Sequence, residues 1–341
     1  KRWWVWVLAL AAVGAAAAAG TIPEERLTAL QRVARAEDAR VLGDGTLARA
    51  LADADAGLRR RAALAVGRLQ DSLGTALLLP LLGDPDAEVR REAVFALGQI
   101  GLARPGGPGR AAEARPALEQ LLRDTDPATA ELALEALGKL GDRAATPLVA
   151  GFLGHAGAAL RGAAALALWR LADSTALDAL LFRLDDEDAG VRWRALYALE
   201  RIVAPERVVL LAALHADDED PLVRAYAVRT MGRQRSPEGT AYVLQKLADP
   251  DVGVAVNAMR ALVLIADSTC GGCLPAFTGA LGAAHPYLRA TAATAMAERF
   301  AWAAADSAAT AAALDSLAAR LTDPDAATRG PCARALLARR G

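Results

Sequence analysis

The sequence predicts an all-α fold, a right-handed α-α superhelix built from about nine two-helix repeats. Three observations carry this expectation. A pattern of about 31 residues returns along most of the chain and is clearest from Leu82 to Gly101. Its apolar positions Val89, Ala93, Leu97 and Ile100 fall at helical spacing, and no stretch alternates persistently enough for a sheet. A hydrophobic content of 54% with only 4% aromatics suits small, closely stacked helices, and 341 residues are ample for a continuous core.

Each repeat is indexed on an arginine that follows an apolar residue, six positions after an aspartate in the preceding turn. The arginines are Arg59, Arg90, Arg161, Arg192, Arg224, Arg289 and Arg329, with Ala130 and Ala255 keeping the phase in two further repeats. The matching aspartates are Asp53, Asp84, Asp124, Asp186, Asp218, Asp249 and Asp323, with His155 and Ala283 in the other two slots. Asp84-Pro85-Asp86 supplies the turn, the N-cap and a proline suited to a helix start. Pro80, Pro116, Pro147 and Pro275 fall in or at the start of the other helix of each pair, where a first turn tolerates a missing amide. Longer gaps around Ala103 to Ala114 and Ala301 to Ala311 read as insertions.

Three segments are expected. Residues 1–20 carry Lys1-Arg2, an apolar run from Trp3 to Ala19 and small residues before Gly20, the pattern of a signal peptide or N-terminal membrane anchor. Residues 21–45 form a capping helix and linker. Residues 46–341 form the array, whose last repeat stops just after its second-helix motif and so reads as incomplete.

The recurring proline, turn aspartate and apolar-arginine pair resemble the HEAT and HEAT-like repeat family, including the repeats of phycobilin lyases, over about residues 46 to 341. The resemblance implies that aspartate and arginine form a ladder linking neighbouring repeats, and that the second helices line the concave face. It makes Asp84 with Arg90, Asp186 with Arg192 and Asp218 with Arg224 structural pairs, and the repeats at Ala130 and Ala255 looser at the ladder.

No catalytic residue, cofactor or metal site is expected. The chain has no phosphate-binding glycine loop after a strand, no nucleophile elbow and no metalloprotease helix motif. His155, His215 and His285 sit in turns of different repeats, too far apart for one metal. The acidic runs 185–188 and 217–220 read as solvated, N-capping turns. In an exported chain Cys270 and Cys273 are expected to form a local disulfide, and Cys332 occupies the buried slot of Ala93. The net charge of -1 argues against general nucleic-acid binding.

One surface pattern stands out. Positions equivalent to Glu92, Phe95 and Gln99 form a stripe along the second helices. In the middle repeats that stripe becomes Arg194, Tyr197 and Arg201, then Tyr226, Arg229 and Arg233, then Asn257 and Arg260, with Trp193 beside it. Arginine with aromatics is the composition of binding hot spots, and the competing reading has these rings packing between helices while the arginines pair with acids such as Glu200. The sequence is therefore expected to encode a non-catalytic scaffold of the bacterial cell envelope, exported to the periplasm or anchored in the inner membrane facing it. Its partner is another protein or a peptide bound on the concave face, not nucleic acid, and it meets the membrane only through an uncleaved N-terminal segment. The alternatives are the repeat region of a larger envelope enzyme, such as a cyclophilin-type peptidyl-prolyl isomerase, and a nucleic-acid-binding HEAT-like protein.

Overall fold

The computed structural model describes residues 24–102, 112–265, 270, 272–299 and 308–338. The N-terminal apolar run, most of both insertions and the last residues of the final repeat lie outside the described residues. Every element among the described residues is helical, and the chain divides into two compact units between Leu171 and Ala172.

The N-terminal unit contains α1 (Glu24–Asp38), α2 (Thr46–Leu51), α3 (Ala56–Leu69), α4 (Gly74–Leu78), α5 (Ala87–Ile100), α6 (Arg115–Leu121), α7 (Pro127–Leu140), α8 (Thr146–Gly151) and α9 (Ala158–Leu171). The second helices α3, α5, α7 and α9 pack in succession, and each also packs against its own shorter first helix. α1 covers α2 and α3. Val89, Ala93, Leu97 and Ile100 are all buried, so the apolar stripe of α5 faces the core as its spacing requires.

Helix starts follow from turn chemistry. Asp86 caps α5 by accepting from Glu88 N–H at 2.8 Å and Val89 N–H at 3.3 Å, and Asp55 and Asp126 cap α3 and α7 in the same way. Pro116 and Pro147 occupy first turns of α6 and α8, where no backbone hydrogen bond is lost, whereas Pro80 follows α4 in the 3-10 turn Leu79–Gly83.

The C-terminal unit contains α10 (Leu177–Phe182), α11 (Ala189–Leu199), α12 (Pro205–Leu214), α13 (Pro221–Gln234), α14 (Thr240–Gln245), α15 (Val252–Ile265), α16 (Cys273–Leu281), α17 (Pro286–Arg299), α18 (Ala308–Ala319) and α19 (Ala326–Leu337). Here α11, α13, α15, α17 and α19 are the second helices, again packed in succession. Asp188 and Asp220 are N-caps of α11 and α13, which accounts for one aspartate in each acidic run.

The ladder differs from the expected pairing. Arg90 donates through a terminal nitrogen to the backbone carbonyl of Asp84 in its own turn, at 3.0 Å. Its fork then grips the carboxylate of Asp124 in the next repeat, with both N–H···O distances at 2.9 Å. Arg192 likewise meets the Asp186 carbonyl and the Asp218 carboxylate, and Arg224 the Asp218 carbonyl and the Asp249 carboxylate. The carboxylate of Asp84 belongs to Arg59 of the preceding repeat. Within a repeat, then, the pairs Asp84 with Arg90, Asp186 with Arg192 and Asp218 with Arg224 join through a carbonyl. The ion pair itself runs between repeats, because the guanidinium is long enough to span both turns. Each acceptor carboxylate also takes the N–H two residues on, as Asp84 does from Asp86 at 2.9 Å.

The arginine hydrogen bond holds the carboxyls of Asp84 and Asp124 below the usual range. That of Asp323, gripped by Arg289, is lowered to about 2.

A second interlock uses glycine. A Cβ on Gly67 would lie 2.8 Å from Ala96 Cα, one on Gly138 2.8 Å from Ala167 Cα, and one on Gly232 2.6 Å from Ala261 Cα. Neighbouring second helices thus touch backbone to backbone at one register position. At that position α11 is followed by Glu200 instead. There Thr230 Oγ1 donates to the Leu196 carbonyl at 2.9 Å, and Gln234 Nε2 donates to the carbonyls of Leu199 and Ile202 at 2.8 and 3.0 Å. These donors satisfy carbonyls left by the early end of α11, which has 11 residues where α13 has 14.

Candidate protein-binding face

Successive second helices bring the stripe residues of the C-terminal unit together across helix boundaries. Trp193 of α11 stacks on Tyr226 of α13 with ring centroids 5.0 Å apart, and Tyr197 meets Tyr226 edge-on at 5.6 Å. The Arg229 guanidinium lies over both tyrosine rings, 5.4 Å from Tyr197 and 5.3 Å from Tyr226. Arg194 covers Trp193 at 4.4 Å and donates to the Gly190 carbonyl at 2.7 Å. Five of the nine expected residues therefore form one half-buried cluster.

Glu200 anchors this cluster. Its side chain is 5% exposed, with Oε1 2.7 Å from Arg229 Nε and Oε2 accepting from the other end of the fork at 3.2 Å. Burial raises the Glu200 carboxyl above its ordinary range, and the charges of Arg229 and Arg233 only moderate that rise. Burial raises the Tyr226 phenol as well.

The remaining stripe residues lie around the cluster. Arg201 and Arg233 are exposed at the ends of α11 and α13. Asn257 is tied to its own helix through the Gly253 carbonyl at 2.8 Å. Arg260 joins a second group, donating to the Tyr287 hydroxyl and lying 5.5 Å from that ring. Beside it a groove of about 320 Å³ is lined by Arg260, Val263, Tyr287, Thr291, Thr294 and Glu298 among others. Sequence reasoning missed this groove. Thr291, Thr294 and Glu298 stand at the stripe positions of α17 and were accessible to the register, but Tyr287 sits in the first turn of α17, outside the stripe spacing.

On the same face of the N-terminal unit three cations meet acids. Arg61 and Arg68 both meet Glu37 of α1, and Lys139 meets Glu135 at 2.6 Å while lying over Phe95. Burial raises the Glu92 carboxyl.

The histidines serve the turns. His155 and His285 each accept, through Nδ1, the backbone N–H two residues on, as the turn aspartates do elsewhere. His215 is held below its usual value by burial. Among the described residues no group of three or more His, Cys, Asp or Glu side chains is arranged to hold a metal ion, and no helix is long and apolar enough to cross a membrane. Cys270 and Cys273 are joined by a disulfide, and Cys332 is a buried free thiol whose pKa burial raises to about 11.

Paired helices that bury their apolar faces against their neighbours, with side chains displayed along the second helices, define an α-helical repeat protein. The chain belongs to the HEAT repeat family, which it matches over residues 43–106, 102–168 and 147–232. No curated protein matches it. Among solved structures it is similar to an engineered protein at 22% identity, with a TM-score of 0.54 over 92% of this chain and 94% of that one. It is also similar, at 23% identity and a TM-score of 0.45, to the complex of CpcE and CpcF of phycocyanin lyase from Nostoc sp. PCC7120, over 76% of this chain and 93% of that one.

Proposed function

We propose that the chain is a non-catalytic scaffold of the cell envelope that binds another protein or a peptide through the second-helix face of α11, α13 and α15, the concave side of the solenoid. The observation that carries this reading is the Trp193–Tyr226–Arg229 cluster. It spans two helices, is half-exposed and has the residue types that dominate binding energy at interfaces. Aromatic rings locked against one another lose little entropy when a partner docks, which favours binding. The envelope assignment rests on the positive start and apolar run of residues 1–20.

Replacing Tyr197 and Tyr226 with alanine, together with Arg229→Glu, is expected to abolish capture of partners from an envelope extract while helicity is retained. Capture of the same partners by the triple variant would place the binding site elsewhere.

A further inference from the structure

The proposed face carries an excess of positive charge. Stripe positions on α11, α13 and α15 hold Arg194, Arg229, Arg233 and Arg260. The one acid packed into the cluster, Glu200, is buried against Arg229 and so neutralises a single arginine. The turn aspartates of these repeats are engaged elsewhere, Asp218 with Arg192 and Asp249 with Arg224. On the equivalent face of the N-terminal unit three cations have acidic partners, Arg61 and Arg68 on Glu37 and Lys139 on Glu135.

From this imbalance, and resting on the peptide-binding reading above, we infer that the partner is an acidic peptide bound in extended form across α11, α13 and α15. Packed helices are spaced by about 8–10 Å. An extended polyproline II chain advances about 3.1 Å per residue with three residues per turn, so carboxylates at every third residue lie on one face about 9 Å apart and meet successive helices. Guanidinium groups bind carboxylates through paired N–H···O bonds, which suits the arginines here better than lysines would. A single-stranded nucleic acid is the poorer fit. It needs open aromatic faces for base stacking, and here Arg194 and Tyr226 cover Trp193 while Trp193, Tyr197 and Arg229 surround Tyr226.

The test titrates the full chain with a fluorescein-labelled glycine-serine peptide carrying glutamate at every third position, with its glutamine and lysine counterparts, and with single-stranded oligothymidylate. The glutamate peptide is expected to bind in a salt-sensitive manner and the other two peptides to bind at least about tenfold more weakly. Combining Arg194→Glu, Arg233→Glu and Arg260→Glu is expected to weaken the glutamate peptide by about tenfold or more, with Arg123→Glu on the N-terminal unit as the neutral control. Equal binding of the glutamate and glutamine peptides, unchanged affinity of the triple variant, or preference for oligothymidylate would overturn the inference. If the glutamine peptide binds as well as the acidic one and is lost with Tyr197→Ala and Tyr226→Ala, the binding face stands and only its acidic preference falls. If no peptide binds, the acidic preference falls and the extract capture decides the broader reading.

Discussion

Glu200 lies buried beneath Arg229, its Oε1 2.7 Å from the guanidinium Nε, at a register position that α3, α7 and α13 give to a glycine. The position that elsewhere lets two backbones touch here holds a carboxylate that orients an arginine over two tyrosine rings.

This relationship fixes the sign of a pH effect. A carboxyl raised by burial binds its proton more tightly in the folded chain, so ionised Glu200 costs stability, and that cost is relieved as pH falls through the raised value. Glu200→Gln is expected to melt at or above the parent temperature at pH 7, with the difference shrinking in acid. A clearly lower melting temperature at pH 7 would mean that attraction to Arg229 outweighs the burial.

The ladder aspartates act in the opposite direction. Their carboxyls are depressed, so their contribution is present at neutral pH and fades as pH falls below the ordinary range, down to about 2 at Asp323. Thermal melts between pH 4 and pH 2 are expected to show a steep loss, and Arg289→Gln should flatten it. An unchanged slope in that variant would remove Arg289 as the cause.

Two rungs lack both partners. Under the pairing seen elsewhere, the carboxylate for Ala130 would come from His155 and that for Ala255 from Ala283. Ala130→Arg combined with His155→Asp is expected to install a rung, with a coupling energy of about 1 kcal/mol or more in a double-mutant cycle. Additive single effects would show that the two turns are not positioned as at Arg90 and Asp124.

Glycine contacts predict contrasting outcomes for one substitution. Gly232→Ala drives a methyl to 2.6 Å from Ala261 Cα and is expected to cost about 1–3 kcal/mol. Gly151→Ala meets nothing within 4 Å and is expected to be neutral or stabilising by up to about 1 kcal/mol. Denaturation of the two variants side by side checks both, and equal midpoints would contradict the packing.

Cys332 offers a chemical check. With its thiol raised to about 11 and buried, and the other two cysteines joined, the native chain is expected to react slowly with a thiol reagent at pH 8 and rapidly after unfolding. Fast labelling of the native chain would show that the α19 helix opens readily.

Much of the fold was legible because its period is local: the apolar positions of α5 and the capping aspartates each depend on residues within a few positions. The ladder direction was also legible in principle. Ala130 with His155, and Ala255 with Ala283, lose their charges together only if each arginine looks forward to the next repeat. Pairing within the repeat would have left Asp124 facing Ala130 and Arg289 facing Ala283. What spacing does not contain is the contact between helices. It marked Trp193, Tyr197, Tyr226 and Arg229 as one stripe, but their stacking depends on how closely α11 and α13 approach, and that follows from Glu200, Thr230 and Gln234 replacing the small-residue contact.

The forward-reaching arginine has a consequence for how such a chain can change. A repeat that carries a plug on one side and a socket on the other, such as that from Asp218 to Ala248, can be copied or removed in phase and leaves its junctions complementary. A plug without its socket is exposed to selection at once, whereas an insertion of whole repeats is not. That asymmetry makes the single repeat, and not the residue, the natural unit in which this array lengthens or shortens.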